Sequence, residues 1–296
     1  MDEPTITIVG HTTHDWYPDR VRAGGCALYG ALTYRQLDAS AHLVTGIGEH
    51  FECEEVFEGV DATVFRRGRT TSFVNLYPDD GPRVQYVGRR APSLSANDVP
   101  TTHLDTDVLH LAPVLREVEL AEWVESTEAE LIVAGAQGWM KRAGPTAGAE
   151  SPALRGLETP RRVEHDVWDV EPALLGALDL LFVSDEDVAG REELFERWCD
   201  EVGLIVRTHG RSGASVYVEG EPRTIPAVEV DPVDPTGAGD TFAAAFTAGI
   251  AAGSPPVDAG HLGAAAASVV IEGVGPSALE EERGRIERRY RRLQRD

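Results

Sequence analysis

Residues 234–250 read DPTGAGDTFAAAFTAGI, and this stretch decides how the rest of the chain is understood. Pro235, Thr236, Gly237, Ala238 and Gly239 make a glycine-containing turn whose bare N–H groups can face an anion. The alanine-rich run that follows is a good helix former, and its first turn leaves N–H groups without intrahelical partners at the positive end of the dipole. Between turn and helix stands a carboxylate, Asp240. A negative charge beside an anion nest makes chemical sense if it orients and deprotonates an incoming hydroxyl while backbone dipoles stabilise a transferred group. The plain alternative is that Asp240 only caps the helix.

Outward from this stretch, short apolar, β-branched runs alternate with helix-period segments. TITIVG (5–10), HLVTGIG (42–48), DVLHLAP (107–113), ELIVAGA (130–136), LDLLFVS (178–184) and LIVRT (204–208) have the composition of buried parallel strands. Between the last two, Leu194, Phe195, Trp198 and Val202 fall on one helical face. The alternation predicts an α/β, doubly wound, mainly parallel sheet flanked by helices, with ligands beyond the carboxyl ends of the strands. Residues 62–88 break the rhythm: they alternate polar and apolar around Pro78-Asp79-Asp80-Gly81, which predicts a hairpin exposed on one face. Such a hairpin can cover a site as a lid, or be an ornament without a role. Residues 138–161, rich in Gly, Pro, Ala and Glu, are expected to form a long surface loop.

Composition narrows the function classes. The net charge is -23, and of 27 basic residues Lys141 is the sole lysine. An acidic, lysine-poor surface suits concentrated salt, where screening removes self-repulsion, and it argues against nucleic acid as a partner. No apolar run approaches the roughly 18 residues of a membrane span, and the acidic start MDEPTITIVG carries no secretory pattern, so a cytoplasmic location is expected. Cys26, Cys53 and Cys199 lie too far apart for a paired zinc or disulfide spacing. His11, His14 and Asp15 imitate a metal site that loop residues form often by chance. Trp123, Trp168 and Trp198 sit in core-like patterns. From Glu280 to Asp296, seven arginines against five acids suggest a terminal helix docked on the acidic body.

DPTGAGDTF, between the strand-like AVEV and the alanine-rich helix, resembles the C-terminal signature of ribokinase-like, or PfkB, carbohydrate kinases. VGHTTHD (9–15) and AGGCALYGA (23–31) resemble that family's substrate-side segment, VRTHGRSGA (206–214) its nucleotide-side turn, and AAAASVVIEGVGP (264–276) its adenine-side helix and loop. The resemblance implies a single domain over 1–296, with β-lid segments at 12–22 and 62–90. It implies Asp240 as catalytic base, with the N–H groups of Gly237, Ala238 and Gly239 as anion hole. Asp15, Gly24, Gly25 and Gln137 are then expected at the substrate, and Thr208, Gly210, Gly213, Thr236 and Ser268 at ATP. Asp187 is expected near Mg2+. A small polyol is the implied substrate, and a homodimer through the lid is an arrangement the family allows. VGHTTHD, LHLAPVLREVE (109–119) and AGAQGWMKR (134–142) look similar to the inositol-kinase branch, while nucleosides and simple sugars stay open as substrates; Gln137 and Arg142 are either substrate contacts or loop surface. The chain departs from the family in two places. Tyr29 stands where an asparagine usually follows the glycine pair, and Ser184 to Asp187 replaces an Asn-x-x-Glu motif. These departures keep a non-catalytic sugar or nucleotide sensor as an alternative. A nucleotide-linked oxidoreductase lacks its glycine pattern, and a P-loop enzyme its lysine.

The charge yields a first prediction: the melting temperature should rise from about 0.1 M to about 2 M KCl, because the screening length shrinks several-fold. A flat or falling melting temperature over that range rejects the salt-adapted reading of the composition.

Overall fold

The computed structural model describes residues 3–76, 78, 83–147, 154 and 156–295. The chain enters a large sheet with β1 (Thr5–Val9), whose Ile6, Ile8 and Val9 are buried, then crosses into a second sheet as the hairpin β2 (Thr13–Trp16) and β3 (Val21–Gly24). Helix α1 (Cys26–Gln36) returns it to β4 (Ser40–Ile47) and β5 (Ala62–Arg66), both in the large sheet. The second sheet then gains β6 (Ser72–Leu76) and β7 (Val84–Val87). Strand β8 (Val108–Leu111), helix α2 (Leu120–Glu125) and strand β9 (Leu131–Gly135) extend the large sheet on the other side of β1. After a second excursion, β10 (Lys141–Thr146) and β11 (Arg161–His165), the chain runs through α3 (Pro172–Leu175), β12 (Leu180–Ser184), α4 (Asp185–Val188), α5 (Glu192–Glu201) and β13 (Leu204–Thr208). The antiparallel β14 (Ala214–Val218) and β15 (Glu221–Ile225) close the edge, and α6 (Ala238–Ala251), α7 (Pro256–Val270) and α8 (Arg283–Leu293) end the chain.

The large sheet has the order β15-β14-β13-β12-β9-β8-β1-β4-β5, and its strands from β13 to β5 run parallel. The order of travel reverses at β1, which pairs with β4 on one side and β8 on the other. In such a sheet, the loops leaving adjacent strands in opposite directions open a crevice at the carboxyl ends. Two apolar clusters cover the sheet's faces. One joins Ile6, Ile8 and Leu43 to Leu28, Phe242 and Phe246 of α1 and α6; the other joins Val9, Leu109 and Leu111 to Trp123, Trp168 and Trp198. All three tryptophans are therefore core residues. Helix α8 docks through Ile286 and through Arg285 and Arg289, which both pair with Glu272. Among the described residues no helix is long and apolar enough to cross a membrane.

Two sequence expectations need correction. Residues 62–66 are not part of the hairpin: β5 lies parallel to β4 in the large sheet, because the connection over residues 48–61 is long enough for a crossover. The hairpin itself is β6 with β7, registered Leu76 to Val84; of its expected tip, Asp79, Asp80 and Gly81 lie outside the described residues. Residues 138–161 are not simply a surface loop either. β10 pairs antiparallel with β11, β11 pairs with β7, and Leu154 and Leu157 are buried beneath the second sheet against Val74. That sheet has the order β10-β11-β7-β6-β2-β3, so its strands come from three stretches far apart in the chain. Edge pairing by strands distant in sequence supplied the order that local composition did not predict.

Candidate active site

The site begins at the turn into α6. Gly237 is the N-cap, in the left-handed conformation with φ 82°, and a Cβ there would stand 2.4 Å from the ring carbons of Tyr29. Only glycine meets both conditions. Asp240 is the third residue of the helix, not its cap, so the plain capping role does not account for its carboxylate. The turn is braced from below: Asp234, buried, accepts from the Thr236 N–H through Oδ1 at 3.0 Å and from the Tyr17 hydroxyl through Oδ2 at 2.6 Å. The β2–β3 hairpin and the turn before α6 are thereby tied together.

Asp240 lies where two cavities meet. The first, on the lid side, is lined by Asp15, Asn75, Gln85, Gln137 and the turn Pro235 to Asp240. The second, on the sheet side, is lined by Ser184, Asp187, Thr208, Gly239 and Ala243. Cys26, Gln137, Gly239 and Asp240 border both. Burial raises the pKa of Asp240 above the ordinary carboxylate range, with Lys141 and Arg83 opposing. A base poised in this way can hold a proton during group transfer.

On the lid side, Asp15 projects from β2 just past the carboxyl end of β1, and Thr13 donates to its Oδ1 at 2.8 Å. Burial raises its pKa to about 6. Gly24 does not line the cavity; a Cβ on it would stand 2.4 Å from Asp15 Oδ2, so its missing side chain leaves room for the carboxylate. Gly25 and Thr236 do line it, which puts Thr236 on the lid side and not in the second cavity. The loops after β1 and β8 converge on Glu117, fully buried, whose carboxylate accepts from Val114 N at 2.7 Å, Leu115 N at 2.7 Å and His11 N at 3.1 Å. His11 and His14 are engaged elsewhere: His11 bonds Thr71 and Pro92 O, and His14 accepts from Glu52 N and stacks on Phe51.

On the sheet side, Ser184 ends β12 and caps α4 in a capping box, with Asp187 Oδ2 accepting from Ser184 N at 2.8 Å and from its hydroxyl at 2.7 Å. Thr208 stands at the end of β13. Three residues expected at ATP do not line either cavity. Gly210 faces open space, and Gly213, at φ 92°, brings the chain back against Ile225 O. Ser268 is a correction. It is buried between α7 and α8, donating to Ala265 O at 2.7 Å and accepting from Arg289 at 2.9 Å, so its hydroxyl serves helix packing.

Sequence reasoning missed Lys141. This sole lysine is only 4% exposed and lines the lid-side cavity, where its ammonium feels Asp240, Asp187 and Cys26; burial lowers its pKa to about 8. Its neighbour Arg142 points outward to Glu164, since side chains alternate along a strand. The available signal was compositional: in a chain that uses arginine everywhere else, one lysine marks a position with its own demand. Asn75, Arg83 and Gln85 were also missed, because they belong to the lid hairpin and meet the site only through the second sheet.

These environments set the pH dependence. The folded state favours protonated Asp15, so that stability is full below about pH 4 and is lost as pH rises through about 6. Asp15→Asn should therefore raise the melting temperature at pH 7 by roughly 2–5 °C and have little effect at about pH 4. An unchanged or lower value at pH 7 contradicts the burial cost. Lys141 loses its charge as pH rises through about 8, so turnover should fall across that range. Lys141→Arg, whose guanidinium stays protonated, should move this limb upward by more than about one pH unit. A limb that stays in place assigns the titration to another group.

Known proteins resemble this chain in sequence and in fold. Residues 172–283 match the model of the pfkB family carbohydrate kinases, a span that includes Asp187, Thr208 and Asp240. The chain is 29% identical over 284 residues to a cytidine kinase of Thermococcus kodakarensis, covering 90% of this chain and 96% of that protein. It is 33% identical over 140 residues to an inositol 3-kinase of Oryza sativa subsp. japonica, covering 44% and 34% of the two chains. The fold matches a pyrophosphate-dependent kinase of the ribokinase family, solved with a pyrophosphate analog and myo-inositol, with a TM-score of 0.74 and 22% identity over 95% of this chain and 99% of that one. Residues 172–283 carry the pfkB family carbohydrate kinase match, the chain has a ribokinase-like α/β fold, and it is a phosphotransferase.

Proposed function

We propose that the protein transfers the γ-phosphoryl group of ATP to a hydroxyl of a compact polyol, a sugar or cyclitol with inositol as the leading type. The observation that carries this reading is the position of Asp240 between a polar lid-side cavity and a second cavity at the ends of β12 and β13. The acceptor occupies the first, with Asp15 accepting from its hydroxyls and Asn75, Gln85 and Gln137 supplying amide partners. The donor phosphates approach from the second, toward the N-terminus of α6.

Asp240 takes the proton of the attacking hydroxyl as its oxygen bonds to phosphorus; the bond from phosphorus to the β,γ-bridging oxygen breaks, and ADP leaves with that electron pair. The turn at Gly237 to Gly239 and the Lys141 ammonium stabilise charge on the transferred group. The second cavity offers carboxylates, at Asp187 and Asp240, and hydroxyls, at Ser184 and Thr208, an oxygen set that fits a magnesium ion accompanying phosphates. When bound beside Asp187, that ion supplies charge neutralisation on the phosphate oxygens.

A second reading, a nucleoside acceptor, is favoured by the near full-length similarity to a cytidine kinase. ADP release with ATP and a panel of myo-inositol, ribose, fructose and cytidine separates the two readings. Asp240→Asn should lower turnover by about 10² or more and leave ATP binding nearly intact, because it removes charge but no backbone donor. Near-normal turnover in that variant sinks the general-base assignment.

A further inference from the structure

Three tyrosines lie close to the acceptor cavity or in the same helix. Two have partners: Tyr17 donates to Asp234, and the hydroxyl of Tyr34, on α1, pairs with His110 Nδ1 at 2.8 Å. The third, Tyr29, also on α1, is 1% exposed, and its hydroxyl has no hydrogen-bond partner among the described residues. Phenylalanine would fill the same space beneath Gly237 without leaving a buried polar atom unpaired, which is costly. Tyr29 lines the same cavity as Asp15. An ionised Asp15 can only accept hydrogen bonds, whereas a phenol can donate. The two groups are complementary to a ligand that presents one donor and one acceptor oxygen side by side.

We propose that Tyr29 is a specificity residue that recognises a vicinal diol of the acceptor, its hydroxyl donating to one oxygen while Asp15 accepts from the neighbouring hydroxyl. This rests on the assignment of the lid-side cavity to the acceptor, and it holds for cyclitol, sugar and ribonucleoside alike. The residue at this position then serves twice, since the ring that seats Gly237 also carries the group that touches the acceptor. Acceptor binding and the anion-binding turn share one side chain.

The test is calorimetric and does not require turnover. Wild-type protein and Tyr29→Phe are titrated with myo-inositol, ribose and cytidine, and with the monodeoxy-myo-inositols, 2-deoxyribose and 2′-deoxycytidine, each of which lacks one hydroxyl of its parent. For the best diol, Tyr29→Phe should weaken binding about tenfold, with at most about a twofold change for its deoxy analogue, the non-additivity expected of a direct contact. The melting temperature of the ligand-free variant should not fall. Equal weakening of diol and deoxy ligands, or no weakening, overturns the proposal. If the variant does not fold, wild-type protein decides: equal affinity for a diol and its deoxy analogue overturns the proposal, and a marked preference for the diol supports it. Binding without ADP release in the assay above counts against the kinase reading alone, whereas no binding of any diol overturns the acceptor site and this inference together.

Discussion

The packing of Gly237 on the ring of Tyr29 is the contact on which the site depends. It joins the first helix after β3 to the turn before α6, elements separated by most of the chain, and it leaves no space for a side chain on the turn. Because Gly237 adopts φ 82°, the helix starts one residue later and carries Asp240 into its first turn, at the border of the two cavities. The tie from Tyr17 to Asp234 adds the β2–β3 hairpin to the same unit, so the second sheet and the turn before α6 are held to a common reference.

Electrostatics in the cleft are balanced by few cations. Asp15 and Asp240 both have raised pKa values because burial outweighs their favourable contacts, and Lys141 and Arg83 are the cations that act on Asp240. A protein with a net charge of -23 that gathered these acids in one cleft without such cations would repel any anionic ligand from it. Burying one lysine there meets that need, and the same burial lowers the lysine's pKa toward neutrality. Glu117 plays the opposite role: its charge is consumed by three backbone N–H groups, and it shapes loops without entering the cleft.

The similarity to kinases of nucleosides and of inositol is consistent with one scaffold that keeps its transfer centre and varies its acceptor wall. In this chain one cavity is lined by the start of α6 and the ends of β12 and β13, whereas the other takes much of its wall from the second sheet; in the proposed reading these are the donor and acceptor sides. The two halves answer to different constraints. The first must present backbone dipoles to phosphate, and the second must match hydroxyl positions.

The buried strands, the parallel sheet and the turn into α6 were legible in the sequence because each is a local pattern: β-branched apolar runs for β1, β4, β8, β9, β12 and β13, and glycine, carboxylate and alanine in fixed order at 237–245. The expectation for Asp15 had the same source, its place just past a strand that had to be buried, and the structure puts it on the wall of a cavity. The second sheet was not legible, since β10 and β11 take their order from pairing with β7, a partner that their own composition does not specify. Nor could the sequence choose between Lys141 and Arg142, adjacent cations of which the strand turns one into the cleft and the other toward Glu164. Ser268 was misread because its motif lay near the expected nucleotide, while the packing of α8 on α7 had already taken its hydroxyl. Local chemistry is written residue by residue; which face of an element meets another is set only when the chain closes on itself, and that tertiary step decided which groups became the site.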